Sequence, residues 1–404
     1  MVNAKPFGRR ACFPFLFLIL CLLPARSRAG AVPEFHGAVR PGDVLLAAAP
    51  DGGILFERNA SRPCIPASTL KLLTSLAAFH YLGPSYRFRT ELYRDAAGNL
   101  TLKGYGDPLL ISEAWREIAA RLARKVPFVR DLVLDDTYFE TPVIIPGENR
   151  STNPYDAPVG ALCANFNTIF FDTRQDGSMV SAEPQTPLIP YAVKKIRSLG
   201  LKRGRYTFTH DPAEATRYAG ELFRYFLRRE GIRITGTIRR GTAGSGIRPV
   251  LTYRSRFTLR EAVGKMLKFS SNFMANQILL CIGARVYGPP GSLEKGVRAV
   301  REYARGELHL AGLNMVEGSG ISRKNRLSAR DMLAVLTAFR PYRHLLNRKG
   351  NILYKTGSLA GIRTRAGYVE KKGSPSCYFV VFLSREGPDA DRFMTAIARF
   401  ATRR

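Results

Sequence analysis

The chain has 404 residues, enough for two or three domains, and its apolar (45%) and charged (23%) fractions are those of a folded globular protein, not of a disordered one. Charge is less ordinary: 62 Lys and Arg face 32 Asp and Glu, a formal net charge of +30. Such a surface attracts anionic polymers, although a merely solvated basic face fits the composition equally well.

The first stretch, MVNAKPFGRRACFPFLFLILCLLPARSRAGA, opens with Lys5, Arg9 and Arg10, runs apolar from Ala11 to Leu23 and ends on Ala29-Gly30-Ala31. That layout predicts a secretory signal over residues 1–31, cleaved near Ala31, and so an exported protein of the periplasm or cell envelope. The apolar run is short for a membrane span, and Leu20 is bulky where a lipoprotein signal needs a small residue before Cys21. For an exported protein the expected polyanions are the cell wall and anionic membrane lipids. Four cysteines lie beyond the signal, Cys64, Cys163, Cys281 and Cys377, with no C-x-x-C pair. An oxidising compartment permits disulfides, but spacing alone pairs none, and buried thiols are the simpler expectation.

DVLLAAAPDGGILFERN reads as a β-hairpin turning at Asp51-Gly52-Gly53. A helix follows from Ser68 to about Leu82, stopped by Gly83-Pro84. The middle of the chain mixes strands (RFRTELY, DLVLDD, NTIFFDT) with a helix over 111–124 and loops such as STNPYDAP and SAEPQTPLIP. From Thr258 the pattern is helical again, TLREAVGKMLKF and FMANQILLCIGARVY, with Ser270-Ser271-Asn272 between them. LSARDMLAVLTAF is a further helix, with Ser328 as N-cap and Asp331 in the box position. NILYKTGSL, TRAGYVEKK and CYFVVFLSRE read as three antiparallel strands, and a helix closes the chain. The economical fold is α+β. One antiparallel sheet is built from both ends of the chain and covered by helices, and a smaller β-rich domain is inserted. The catalytic body takes residues 32–84 and 242–404, and the insertion takes 85–241.

Three short motifs carry chemistry. In Ser68-Thr69-Leu70-Lys71 the serine and lysine share one helix face, so the amine reaches the hydroxyl. A lysine made neutral by burial and by a nearby positive charge is a competent base. Alone, the pattern is weak, because an N-cap serine with a solvated lysine gives the same letters. Ser270-Ser271-Asn272 between helices and Lys355-Thr356-Gly357 on a strand follow in order. The set S-x-x-K, S-x-N, K-T-G resembles the active-site signature of β-lactamases and penicillin-binding proteins. Roles follow from charge and geometry. Ser68 is the nucleophile and Lys71 its base. Ser270 relays a proton to the leaving amine, and Asn272 holds the substrate amide and Lys71. Lys355 and Thr356 bind a substrate carboxylate, and Gly357 lets substrate lie flat on the strand edge. The backbone N–H groups of Ser68 and Ser358 form the oxyanion hole.

The resemblance covers most of the chain beyond the signal. ILFERNASRPCIPASTLKLLTS, LKGYGDPLL, LVLDDTYFE, APVGALCANFN, GSGISRKNRLS and KTGSLAGIRTRAGYV are similar to blocks of the class C low-molecular-mass penicillin-binding proteins. These are serine D-alanyl-D-alanine carboxypeptidases/endopeptidases. The resemblance implies a β-lactamase/transpeptidase-like fold and cleavage of D-Ala-D-Ala, or of D-Ala-diaminopimelate cross-links, through an acyl-serine intermediate. It also implies covalent inhibition by β-lactams, and it assigns Arg323 to a side-chain carboxylate of the stem peptide. Asp136 is a weaker candidate for the cleft. Roughly 200 residues separate Ser68 from Ser270, less than the family's two inserted domains need, so the second insertion is expected to be reduced or absent. Glu317 stands where the family often has Asp, and Ser358 where Thr is common. The alternatives are a β-lactamase-like hydrolase or esterase, against which the long insertion and the missing E-x-x-L-N loop count, and a non-catalytic peptidoglycan-binding protein. No cofactor or metal is expected, since the five histidines form no H-x-x-x-H pair. Nucleic-acid binding has only the charge in its favour.

Overall fold

The computed structural model describes residues 39–244 and 246–403; the signal expected over 1–31 lies outside the described residues. Among the described residues no helix is long and apolar enough to cross a membrane.

A six-stranded antiparallel sheet joins the two ends of the chain. Its strands run in the order Asn347–Lys349, Ile352–Leu359, Ile362–Lys371, Ser374–Leu383, Val44–Ala48, Ile54–Arg58. Leu46 pairs with Val380 and Lys355 with Ala366. Both faces are buried, which is why CYFVVFL is apolar without alternation. Cys377, Phe379 and Val381 pack on Phe393, Met394 and Ile397 of the terminal helix Asp389–Arg403. Tyr378, Val380 and Phe382 face the main helical core. At the centre of that core lies the helix Lys71–Tyr81, whose Leu72, Leu73, Leu76, Ala77 and Ala78 are all buried. A helix apolar on every side is a core helix, and this one is surrounded by Leu259–Phe269, Asn272–Tyr287, Leu293–Gly306 and Ala329–Phe339.

A second core forms around a mixed five-stranded sheet ordered Ile238–Arg240, Leu132–Asp135, Leu100–Gly104, Arg89–Arg94, Leu251–Arg254. Helices Ser112–Ala123 and Pro212–Arg229 cover it, with the Trp115 and Phe223 rings 5.3 Å apart. Leu251–Arg254, which follows Gly241, pairs antiparallel with Arg89–Arg94, so this sheet extends past residue 241. The segment YAVKKIRSLGLKRGRYTFTHDP folds as the helix Pro190–Ser198 and the strand Gly204–Thr207, the latter paired with Thr168–Thr173. Its Ile196 and Phe208 join the second core and do not form one of their own.

Candidate active site

Ser68 sits in a single 3₁₀ turn, Ala67–Leu70, that runs directly into the helix Lys71–Tyr81. The helix therefore starts one turn later than its sequence pattern suggests, because Ala67 adopts φ +47°. Left-handed backbone costs an L-residue roughly 1–2 kcal/mol, and here the surroundings impose it. The Pro66 carbonyl accepts hydrogen bonds from Thr69 Oγ1 at 2.7 Å and from Thr364 Oγ1 at 2.9 Å, tying the turn to the sheet. Two glycines press on it. A Cβ on Gly320 would fall 1.9 Å from the Ala67 oxygen, and one on Gly357 would fall 2.8 Å from the Ser68 nitrogen.

Lys71 is fully buried. Its Nζ lies 2.9 Å from Ser68 Oγ, 2.8 Å from Asn272 Oδ1 and 2.7 Å from the Ser319 carbonyl. Burial pulls its pKa well below the ordinary lysine value, the positive charge of Lys355 lowers it further, and Glu317 opposes both. A neutral amine has two N–H donors and one lone pair. Asn272 Oδ1 and the Ser319 carbonyl, which only accept, take the two donors, so the lone pair is left facing the Ser68 hydroxyl.

Across the groove, Lys355 Nζ donates to Ser270 Oγ at 2.8 Å and to the Thr356 carbonyl at 2.8 Å. Burial, and then the charge of Arg365, bring its pKa down to about 8. Ser270 closes the helix Leu259–Phe269 with φ +54°. Ser271 then starts the next helix, its Oγ accepting from the Met274 N–H at 3.2 Å. The two helix ends thus fix Ser270 and Asn272 on either side of one sharp corner. Asn272 Nδ2 reaches the Tyr155 carbonyl at 3.3 Å.

The structure brings Ser68, Lys71, Ser270, Asn272 and Lys355 to one place. Ser68, Ser270, Asn272, Ser358 and exposed Arg323 line a single cleft of about 870 Å³. Thr356 is half-buried on the strand between Lys355 and Gly357. Arg323 donates to the Ala360 carbonyl at the cleft edge. Asp136 lies elsewhere: it is buried in the second core, bound to Arg240 Nη2 at 2.9 Å and Thr216 Oγ1 at 3.0 Å. Cys64, Cys163 and Cys281 are free thiols, buried as Cys377 also is, and burial pushes the Cys163 thiol up to about 12.

Sequence reading marked Glu317 and Arg323 in the loop 317–325 but missed what the Glu317 carboxylate and the Ser319 carbonyl do there. Glu317 is fully buried. It accepts from Ser319 N and Oγ at 2.6 Å each, from Gly320 N at 2.7 Å and from Asn325 Nδ2 at 2.7 Å. This carboxylate holds the Ser319 carbonyl on Lys71 and Gly320 on the serine turn. The letters EGSG were visible, but nothing in them says that the carboxylate points into its own loop.

A family model described as the D-Ala-D-Ala carboxypeptidase 3 (S13) family matches residues 33–199 and 198–346. A D-alanyl-D-alanine carboxypeptidase of Actinomadura sp. (strain R39) is 25% identical over 441 residues, covering 91% of this chain and 81% of that one. The D-alanyl-D-alanine carboxypeptidase DacB of Haemophilus influenzae is 24% identical over 398 residues, 82% of each chain. Among solved structures, penicillin binding protein 4 (dacB) of H. influenzae superposes with a TM-score of 0.73 at 20% identity, covering 93% of this chain and 99% of that one. Bd3459, a predatory peptidoglycan endopeptidase of Bdellovibrio bacteriovorus, gives a TM-score of 0.52 at 17% identity, covering 89% and 90%.

Proposed function

The chain belongs to the D-Ala-D-Ala carboxypeptidase 3 (S13) family, and from that premise we propose that Ser68 is the nucleophile of its acyl-transfer chemistry. The protein is a class C low-molecular-mass penicillin-binding protein and a serine-type D-Ala-D-Ala carboxypeptidase and/or endopeptidase. Its substrate is the peptide of peptidoglycan, and β-lactams bind it covalently.

The observation that carries the residue assignment is the Lys71 amine, buried, depressed in pKa and 2.9 Å from Ser68 Oγ. In the proposed cycle the Ser68 hydroxyl gives its proton to Lys71 as Oγ attacks the carbonyl of the penultimate D-Ala. The N–H groups of Ser68 and Ser358 receive the oxyanion. As the C–N bond breaks, Ser270 passes a proton to the departing amine, and an acyl-Ser68 ester remains. Water then attacks the ester, again with Lys71 as base, and releases the shortened peptide. Lys355 and Thr356 hold the substrate carboxylate, Asn272 its amide, and Arg323 a carboxylate further along the stem. A β-lactam acylates the same oxygen, but its ring keeps the leaving nitrogen attached.

The same reading divides the chain into a catalytic body, 32–84 and 242–404, and an insertion, 85–241, whose sheet takes one strand from the return segment. It also places the protein outside the cytoplasm after removal of residues 1–31, where its basic surface meets an anionic wall or membrane. The test is incubation with labelled penicillin and a stem pentapeptide. Wild type becomes labelled and releases D-Ala by mass analysis, whereas Ser68→Ala does neither. Label retained by Ser68→Ala would sink the assignment.

A further inference from the structure

One wall of the cleft is a loop, which lines it with Pro146, Gly147, Asn149 and Tyr155. This loop touches the catalytic centre at one point. The Tyr155 carbonyl accepts from Asn272 Nδ2, and that bond decides how the amide is turned. With Nδ2 held there, Oδ1 is the end that meets Lys71 Nζ at 2.8 Å. A shift of the Tyr155 carbonyl therefore shifts Asn272, and with it a partner of the Lys71 amine.

The loop is fixed from two sides. Within it, buried Asp156 accepts from Ser151 Oγ at 2.6 Å and from the Ser151 N–H at 3.2 Å. From outside, the segment 207–210 grips three successive carbonyls. The Thr207 N–H donates to Thr152 at 2.9 Å, Thr207 Oγ1 donates to Asn153 at 2.8 Å, and His210 Nε2 meets Ser151 at 3.0 Å. Phe208, buried in the second core, anchors that segment.

The His210 contact is unfinished on its far side. A carbonyl only accepts, so Nε2 carries the hydrogen, and in a neutral ring Nδ1 is then a bare lone pair. Nδ1 is buried without a hydrogen-bond partner among the described residues, and Glu148 Oε1 faces it at 3.8 Å. A lone pair and a carboxylate repel, whereas one proton between them makes a donor and an acceptor. Burial, and then the charge of Asp156, push the Glu148 carboxyl up to about 6, with Arg150 opposing. Those two charges and Tyr155 face Glu148 from its own loop, and His210 faces it from the segment 207–210. The helix Asn272–Tyr287 and the loop 317–325 bring only the uncharged Asn272, Phe273, Asn276 and Ile321 to the same place.

We propose that His210 and Glu148 are positioning residues for the reaction at Ser68: one shared proton locks the loop, and the Tyr155 carbonyl passes that lock to Asn272 and Lys71. The inference rests on Lys71 being the base. Below about pH 6 the Glu148 carboxyl carries the proton and donates it to Nδ1. As pH rises and the pair empties, the two acceptors push apart, the grip on Ser151 slackens and Asn272 loses its fixed orientation. Acid thus tightens this wall of the cleft.

The test is the second-order rate of acylation by labelled penicillin at pH 5 and pH 7.5, with circular dichroism to show that each variant is folded. Glu148→Gln keeps an N–H aimed at Nδ1 at every pH. The ratio of its rate to the wild-type rate is expected to rise about fivefold between pH 5 and pH 7.5. Titration of Lys71 and Lys355 is common to both proteins and cancels in the ratio. In a His210→Phe background the same Glu148→Gln change should give a ratio that does not move with pH, because its partner is gone. A ratio independent of pH with His210 present, or one that still rises with His210 absent, overturns the proposal. Failure of wild type to be acylated at either pH overturns instead the reading of Ser68 and Lys71 on which it depends.

Discussion

Lys71 and Lys355 are two buried amines, both lowered in pKa, with opposite proposed roles as base and as anchor for an anion. Lys71→Ala removes the proposed base and is expected to slow penicillin acylation by about 10²–10⁴-fold in a stopped-flow assay. Lys71→Arg is expected to be as slow, because a guanidinium does not give up its proton. Lys355, with a pKa of about 8, is charged below that pH and neutral above it. kcat/KM on carboxylate-bearing peptides should therefore fall as pH rises through about 8, and Lys355→Arg should move that limb upward. The same shift acts on stability. Between about 8 and the ordinary value of 10.5 the unfolded chain holds a proton that the folded one has lost. Stability therefore improves as pH rises through that window. The clustering of Ser68, Lys71, Ser270, Asn272 and Lys355 was legible because each belongs to a short motif whose local spacing shows in the letters. The roles of Glu317 and the Ser319 carbonyl were not, because a carboxylate folded into its own loop leaves no periodic mark. Asp136 was misplaced as a cleft candidate because its partners, Arg240 and Thr216, are distant in sequence.

At the scale of elements, patterned segments were readable and charged or strained ones were not. Ser328 caps its helix, with Asp331 returning the bond, as its spacing implies. Leu293–Gly306 went unread because its apolar stripe is narrow, with Ala299, Val300 and Ala304 set among charged residues. The turn at Ser68 was read as regular helix because a left-handed alanine has no signature; it is imposed by Thr364 and Gly320 from far along the chain. That dependence gives a prediction. Gly320→Ala must push the 317–325 loop off Ala67, since its Cβ would meet the Ala67 oxygen at 1.9 Å. Displacing the serine by even an ångström should cost about 10² in acylation rate, with the far-ultraviolet circular dichroism retained. Undiminished labelling of this variant would show that the loop does not set the serine turn.

For the whole molecule, the sheet assembled from both chain ends was legible in the hairpin and the three-strand meander. An inserted β-rich unit was legible too, but its strand order was not, because its parallel pairings join Leu132–Asp135 to strands on both sides of it in sequence. The two ends are also joined electrostatically, by Arg385 Nη1 at 2.8 Å from both oxygens of Asp43, with both side chains largely buried. Asp43→Ala removes these bonds while Arg385 Nε keeps Asp389 Oδ2 at 3.0 Å, and should lower stability by about 1–3 kcal/mol in urea unfolding.

A strand order that places Ser374–Leu383 beside Val44–Ala48 also dictates a timetable. During synthesis the N-terminal hairpin emerges early and must wait, unpaired on one edge, for nearly the whole polypeptide to be made. The proposed nucleophile Ser68 and the proposed anion anchor Lys355 lie 287 residues apart in the chain. A ribosome-bound chain that still lacks Ile352–Leu359 is for that reason expected to be inert, and the hydrolase is armed only once that strand has arrived.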